Sequence, residues 1–167
     1  SPTEQGHISI TTIISDSKFK QRLAQLKSGD TVNVKLPFGR FTLDEDASKP
    51  IVMIAGGIGI TPLRSQIRYT ADTRLPHRIT LLYSNRIPEE IAFKDELDSI
   101  AMNNQNIKVI HTITRPEESS HEWKGRTGRI DESMIKEFAP EMDNTRFYVC
   151  GPPAMVDAMV SLLKNIG

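Results

Sequence analysis

The sequence predicts an α/β protein built on a doubly wound parallel sheet, and three observations support this fold class. From residue 51 onward, short apolar strand patterns alternate four times with helical patterns. The first of these strands, 51–56, is a continuous apolar run, which is typical of a strand covered on both faces. The spacing between successive strands suits right-handed crossover connections.

Residues 1–46 follow a different pattern from the rest of the chain. Their strand patterns are rich in β-branched residues, and only one short helix lies between them. Asp16 or Ser17 is expected to cap that helix and Gly29 to end it. The predicted elements are a strand over 6–15, a helix over 16–30, a strand over 31–36 and a short strand within 37–43. The polar segment 44–50 ends in proline and predicts a boundary, which gives domains of 1–46 and 47–167.

The second domain is expected to contain the parallel sheet and its covering helices. Each predicted strand is followed by an amphipathic segment, apart from a long loop over 114–129 that precedes the third helix. The predicted strands are 51–56, 78–84, 107–113 and 146–151, and the predicted helices are 62–72, 89–102, 131–138 and 154–166.

Composition excludes several classes of function. The 21 basic and 21 acidic side chains give a formal net charge of zero, which argues against general nucleic-acid binding. No apolar stretch approaches the roughly 20 residues that span a membrane. Cys150 is the only cysteine and the four histidines lack metal-ligand spacing, so neither a disulfide nor a metal site is expected. A reducing, cytoplasmic location is the expectation.

A glycine turn (residues 56–59) follows the first strand of the sheet. Gly56, Gly57 and Gly59 lack side chains that would keep a ligand from the backbone. Thr61 is expected to cap the next helix, with Pro62 at its first position, so that free N–H groups meet a phosphate. The alternative is a tight turn between strand and helix that binds nothing.

A Cys-Gly-Pro-Pro turn (residues 150–153) has the same layout at the end of the last strand. Two such turns at one edge of a sheet could hold the two ends of an extended ligand. Cys150 would then lie at the ligand, although a small buried hydrophobe is the alternative. No histidine or carboxylate base lies beside either turn, and hydride transfer between bound cofactors needs none.

At this point the sequence resembles the ferredoxin–NADP reductase-like flavoenzymes. The segments GGIGITP, LLYSNR, FKDEL, ITRPEESSHEWKGRTGRI and YVCGPPAM occur in that family's order. Residues 1–46 resemble the end of the family's flavin-binding antiparallel β-barrel, and residues 47–167 resemble its NAD(P)-binding domain. The implied cofactors are NAD(P)H and FAD.

The resemblance also implies roles for individual residues. Cys150 and Thr61 would lie at the reacting nicotinamide, and Ser17 would face the flavin pyrophosphate. The full set of implied cofactor-binding residues is Ser17, Gly56, Gly57, Gly59, Thr61, Pro62, Ser84, Asn85, Arg86, Thr114, Arg115, Arg126, Gly151, Pro152, Pro153 and Met155.

The implied function is a flavoprotein reductase. Hydride would pass from NAD(P)H to FAD, and electrons would then pass to a one-electron acceptor such as ferredoxin, another iron–sulfur protein or a haem protein. The family's flavin-gripping Arg-x-Tyr-Ser motif normally precedes a Ser-Pro such as Ser1-Pro2, so the flavin site is expected to be incomplete in this chain. The alternative is a non-catalytic NAD(P)-binding module or an electron-transfer subunit of a larger complex.

The choice between NADH and NADPH stays open at the level of the sequence. A 2′-phosphate needs a cation, preferably a guanidinium. Arg115 lies where NADPH-using relatives often carry an arginine, and Arg86, Lys124 and Arg126 could assist. Solvated loop charges are the alternative. Trp123 is expected to anchor the loop, or else to form a shelf for adenine.

Overall fold

A computed structural model describes residues 1–36, 38–139 and 141–167 of the chain. Its described part contains one five-stranded sheet in which every neighbouring pair is parallel. The strand order is β4-β3-β2-β1-β5. The strands are β1 Ile51–Gly56, β2 Ile79–Asn85, β3 Ile107–Ile113, β4 Arg126–Thr127 and β5 Arg146–Cys150.

Helices cover both faces of this sheet, which confirms the doubly wound fold. One buried cluster joins the sheet to α2 and α3 through Leu63 and Leu97. A second cluster joins the opposite face to α4 and α5 through Ile135 and Met159. The helices are α1 Lys18–Ala24, α2 Ile60–Asp72, α3 Lys94–Asn103, α4 Glu132–Phe138 and α5 Pro153–Ile166.

Strand β1 lies at the position that matters most for ligand binding. All six of its residues are buried, as the unbroken apolar run predicts. The chain runs from β1 outward to β2 and β3, and β5 then returns to the other side of β1. The strand order therefore reverses between β1 and β5. Open parallel sheets bind ligands at such a reversal, beyond the carboxyl ends of the strands.

The first part of the chain differs from the sequence-based prediction. The strands expected over 6–15, 31–36 and within 37–43 are not formed in the described residues, and the helix expected over 16–30 is only α1. A strand is held by hydrogen bonds to a neighbouring strand, and these segments pair with none in the part described. Pro37, within the third segment, lies outside the described residues. The boundary near residue 46 stays a prediction.

The start of α2 also differs from the prediction. A short 3₁₀ turn, Gly57–Gly59, precedes the helix, and Gly59 occupies the N-cap position. Thr61 and Pro62 therefore lie within the first turn of the helix, so the predicted cap at Thr61 is wrong. The right-handed helical backbone already begins at Gly59, which has a φ of −61° and a ψ of −8°, two residues before the threonine.

Candidate nucleotide-binding site

The glycine turn and the Cys-Gly-Pro-Pro turn lie against each other at the reversal between β1 and β5. A Cβ atom placed on Gly59 would be 2.5 Å from the Cys150 carbonyl oxygen and 2.6 Å from the Gly151 Cα. A Cβ on Gly151 would be 3.2 Å from the Gly56 backbone nitrogen. The two turns therefore pack backbone to backbone, at a separation that side chains would prevent.

Gly59 and Gly57 in the first turn lack a side chain for different structural reasons. Gly59 is required by the neighbouring turn, because its missing side chain leaves room for Cys150. Gly57 has a φ of +50°, and no atom lies within 4 Å of where its Cβ would be. Its half-buried backbone has open space on the Cβ side, where a ligand can approach closely.

Tyr83 holds the glycine turn by a hydrogen bond from β2, a role that no pattern in the sequence indicates. Its ring is fully buried in β2, and its hydroxyl donates a hydrogen bond to the Gly57 carbonyl oxygen at 3.0 Å. Burial raises the pKa of this phenol, so the hydroxyl stays protonated and remains a donor at neutral pH. The turn is therefore held rigid before any ligand arrives.

A strand-end cavity of about 310 Å³ opens beside the two turns, on the face of the sheet that carries α5. Three residues predicted for the site, Ser84, Thr114 and Met155, line it. Its other lining residues are Arg129, Ile130, Ala154, Ala158 and Met159. The cavity combines an apolar wall with hydroxyl groups and one guanidinium, which suits a nucleoside that carries phosphate.

Gly56, Gly151 and Pro152 border this cavity through Met155. A Cβ on Gly56 would collide with the Met155 sulfur, and it would be 3.1 Å from the Pro152 Cδ. Pro153 begins α5, so the helix start faces the same edge of the sheet. Asn85 is buried, and its carbonyl accepts hydrogen bonds from the amide and hydroxyl of Thr114.

Cys150 and Thr61 lie apart from the residues that line the cavity. Cys150 is half-buried and packs against the core cluster shared with α2, and burial raises the pKa of its thiol. Thr61 lines a separate cleft between α2 and residues 1–11, together with Arg64 and Phe93. Pro62 lines a shallower depression with Phe41. A ligand that joins Cys150 to the cavity would have to cross the two glycine-containing turns.

The raised pKa of Cys150 leads to a measurable prediction. At pH 8 we expect iodoacetamide to alkylate Cys150 more slowly than free cysteine, because the thiolate is the reactive form and the folded protein disfavours it. Bound NADP⁺ or NAD⁺ should slow the reaction further. Mass spectrometry of the modified chain measures both rates, and unfolding in urea should restore the ordinary rate. Alkylation unaffected by either nucleotide would place Cys150 away from the ligand.

The predicted arginines have partners of different kinds. Arg86 and Arg115 both form ion pairs with Glu118, while Arg126 pairs with Glu137 and stacks on the ring of Phe138. These three arginines are not among the residues that line the cavity.

Arg129, which the sequence analysis missed, does line the cavity. It has no carboxylate partner within the described ranges. Arg129 follows β4 by two residues, and its position at the cavity is known only from the structure of this loop.

The loop over 114–129 is fastened at two points. Trp123 donates from its indole nitrogen to the Arg126 carbonyl at 2.7 Å, and its ring packs on Gly125 and the core. This geometry favours the loop-anchor interpretation of Trp123. Glu89 accepts hydrogen bonds from Ser119, Ser120 and His121, chiefly the last, which lower its pKa to about 2. These contacts hold the loop against the segment that follows β2.

Ser17 stands at the N-cap position of α1, where its side chain makes no capping hydrogen bond. Its contact with a flavin pyrophosphate stays a prediction.

A doubly wound sheet with apposed glycine turns at its strand reversal, and an amphipathic cavity beside them, defines a nucleotide-binding domain. The family described as the oxidoreductase NAD-binding domain matches residues 53–161. The chain belongs to this family. The match covers the sheet apart from the first two residues of β1, both turns and the residues that line the cavity.

Similar proteins place the domain among the ferredoxin reductase-like flavoproteins, as the sequence resemblance predicted. The chain is 36% identical over 161 residues to an NADH-cytochrome b5 reductase-like protein of Arabidopsis thaliana, covering 93% of this chain and 48% of the relative. The cytochrome b5 reductase domain of Ulva prolifera nitrate reductase superposes with a TM-score of 0.77 at 33% identity, covering 89% of this chain and 61% of that one.

A ferredoxin NADP⁺ reductase from Neisseria gonorrhoeae with bound FAD and NADP superposes with a TM-score of 0.70 at 25% identity, covering 92% of this chain and 64% of that one. The chain thus spans about half to two thirds of the length of these proteins. Among the described residues, no helix combines the length and hydrophobicity needed to cross a bilayer.

Proposed function

We propose that this chain is the NAD(P)H-binding half of a flavoprotein reductase that passes electrons to a haem or iron–sulfur acceptor. The observation that carries the proposal is the contact between the glycine turn and the Cys-Gly-Pro-Pro turn at the strand reversal, with the strand-end cavity beside them. Relatives named as NADH-cytochrome b5 reductases and as a ferredoxin NADP⁺ reductase support the acceptor class.

The residues of this chain fit the two ends of a dinucleotide. The cavity offers Ser84, Thr114 and Arg129 to a nucleoside and its phosphate, against the apolar wall formed by α5. The Gly57 backbone, which has open space beside it, and the partial positive charge at the start of α5 suit the pyrophosphate, while Pro152 and Pro153 themselves have no N–H to donate. In this arrangement Cys150 and Thr61 would contact the nicotinamide end of the dinucleotide.

When both cofactors are bound, the nicotinamide supplies a hydride and the flavin accepts it. The contribution of Cys150 is a small, uncharged thiol, because its raised pKa keeps it neutral at physiological pH. A neutral group packs against a planar ring without creating a charge that would attract water. The rigid turn held by Tyr83 limits how far the bound ring can move.

A surface in the first part of the chain supports the proposed pairing with a flavin domain. Of thirteen exposed large hydrophobic side chains among the described residues, eleven lie between Ile8 and Phe41. Soluble monomers rarely leave large apolar areas exposed, and such areas are typical of surfaces that a partner covers. The alternating strand pattern of residues 6–15 and 31–36 fits further strands of a barrel at this surface.

The proposal is tested by calorimetry and by absorbance on the purified chain. We expect NADH or NADPH to bind with a single-site stoichiometry, and FAD to bind once the flavin-binding segment of a relative is supplied in trans or by fusion. The flavin bands should then decrease when NAD(P)H is added without oxygen. Failure to bind either nicotinamide nucleotide would contradict the proposed function.

Binding of NAD(P)H without any flavin reduction would instead favour the second candidate, a non-catalytic nucleotide-binding module. The exposed surface between Ile8 and Phe41 is compatible with a subunit of that kind as well. We also propose a cytoplasmic site of action, supported by the single cysteine of the chain, which allows no internal disulfide.

A further inference from the structure

Two arginines at the rim of the nucleotide site share one carboxylate. Glu118 accepts from Arg115 at 2.6 Å through one oxygen and from Arg86 at 2.7 Å through the other. The three side chains are between 38% and 58% exposed, so they lie at the surface and remain accessible to a ligand. Each carboxylate oxygen thus has its own guanidinium.

The position of this cluster is fixed by the strands that end at the cavity. Arg86 lies two residues after the cavity residue Ser84, and Arg115 directly follows Thr114, which also lines the cavity. The Arg115 amide donates to the Arg86 carbonyl at 2.8 Å, which holds the two segments side by side. Glu118 lies in the short 3₁₀ turn Pro116–Glu118 that begins one residue later.

The cluster has the chemistry to distinguish the two nicotinamide nucleotides. NADPH differs from NADH by one phosphate on the adenosine ribose, and paired guanidinium groups are its natural partners. In this structure the same groups are already paired with a carboxylate. A 2′-phosphate must therefore displace Glu118 or lie close to its negative charge, while the hydroxyl of NADH is affected by neither.

We propose that Glu118 is a built-in counter-ion that sets the coenzyme selectivity of this site, weakening the binding of NADPH relative to NADH. This inference rests on the proposed function, because it assigns the rim of the same site. The two arginines in the sequence favour the binding of NADPH, but in the structure both are paired with Glu118, which weakens that preference. The hydrogen bonds from Arg115 and Arg86 lower the pKa of Glu118, so it stays ionised at neutral pH.

The variant Glu118→Gln tests the inference, because it removes the charge and keeps the size of the side chain. We expect the dissociation constant for NADPH, measured by calorimetry on the purified chain, to fall about tenfold while that for NADH changes less than about twofold. The gain should shrink in 0.5 M NaCl. Adding Arg115→Gln to this variant should return the NADPH affinity to the wild-type value.

Glu117→Gln is the matched control, because Glu117 lies in the same turn and pairs with neither arginine among the described contacts. Equal changes for both nucleotides in Glu118→Gln, or no change for either, would overturn the inference while wild-type binding still supports the proposed function. A wild-type chain that binds neither nucleotide would remove the proposed function, and this inference with it.

Discussion

Replacing Gly59 with alanine is expected to destabilise the protein and to weaken nucleotide binding together. The new methyl group would lie 2.5 Å from the Cys150 carbonyl oxygen and 2.6 Å from the Gly151 Cα. Both neighbours are backbone atoms of a turn held by β5, so they cannot rotate away as a side chain would. We expect the free energy of unfolding to fall by about 2–3 kcal/mol, with a melting temperature about 5–10 °C lower.

Gly57→Ala is the matched control, since it adds the same methyl group two residues earlier. No atom lies within 4 Å of that Cβ, and the only cost is the positive φ of +50°, about 1 kcal/mol. Because the proposed function places the ligand at the Gly57 backbone, this variant should lose NAD(P)H affinity while its melting temperature falls less than that of Gly59→Ala. Chemical denaturation and calorimetry on both variants separate the two roles. Equal loss of stability in both would contradict the packing assigned to Gly59.

The sheet could be predicted from the sequence because its strands carry their own signal. The run 51–56 is apolar at every position, and the structure buries every one of those residues. The two turns were predictable for a related reason: small residues at strand ends lie at one edge of any parallel sheet. The strand order was not predicted, and the two-residue strand β4 lies inside the segment 114–129 that was expected to be a loop.

Contacts between distant segments explain what the sequence did not reveal. The helix α2 begins before Thr61 because the glycine turn is wound against residues 150–151, which are about ninety positions away. The alternation in residues 6–15 predicts a strand, but a strand also needs a neighbour, and none of the described residues provides one. A local sequence pattern indicates the secondary structure that a segment prefers, whereas the structure that it adopts also depends on the segments that pack against it.

The arginines in the loop over 114–129 also show that a sequence pattern does not predict contacts between distant residues. Sequence reasoning selected Arg115 and Arg126, and the structure pairs both with carboxylates. Arg129 was missed because its position at the cavity depends on the short strand β4, which the sequence pattern does not predict. Arg129 lines the cavity, and no carboxylate of the described residues pairs with it.

Reversing that charge is expected to have the largest effect on nucleotide binding. In Arg129→Glu, the cavity loses its one guanidinium and gains a carboxylate that repels the phosphates of the ligand. A hydrogen bond to a charged group contributes about 1.5–3 kcal/mol, which is roughly 10-fold to 150-fold in a dissociation constant. Because the new carboxylate also repels the phosphates, we expect the dissociation constant for NADH to rise by roughly 100-fold. The neutral Arg129→Gln should show a smaller increase of about tenfold. Calorimetry at low ionic strength measures both, and the gap between them should narrow as salt is added.

Lys124→Glu supplies the control for this series, because it reverses a charge in the same loop at a side chain that is 82% exposed and does not line the cavity. Its nearest acidic partner is Glu122 at 3.6 Å, also exposed, so the substitution should leave folding and NADH affinity within about twofold of wild type. If Lys124→Glu weakened binding as much as Arg129→Glu, the long-range charge of the loop would be responsible, and Arg129 would have no direct contact with the ligand. A difference of tenfold or more between the two variants is the result that places the phosphates in the strand-end cavity.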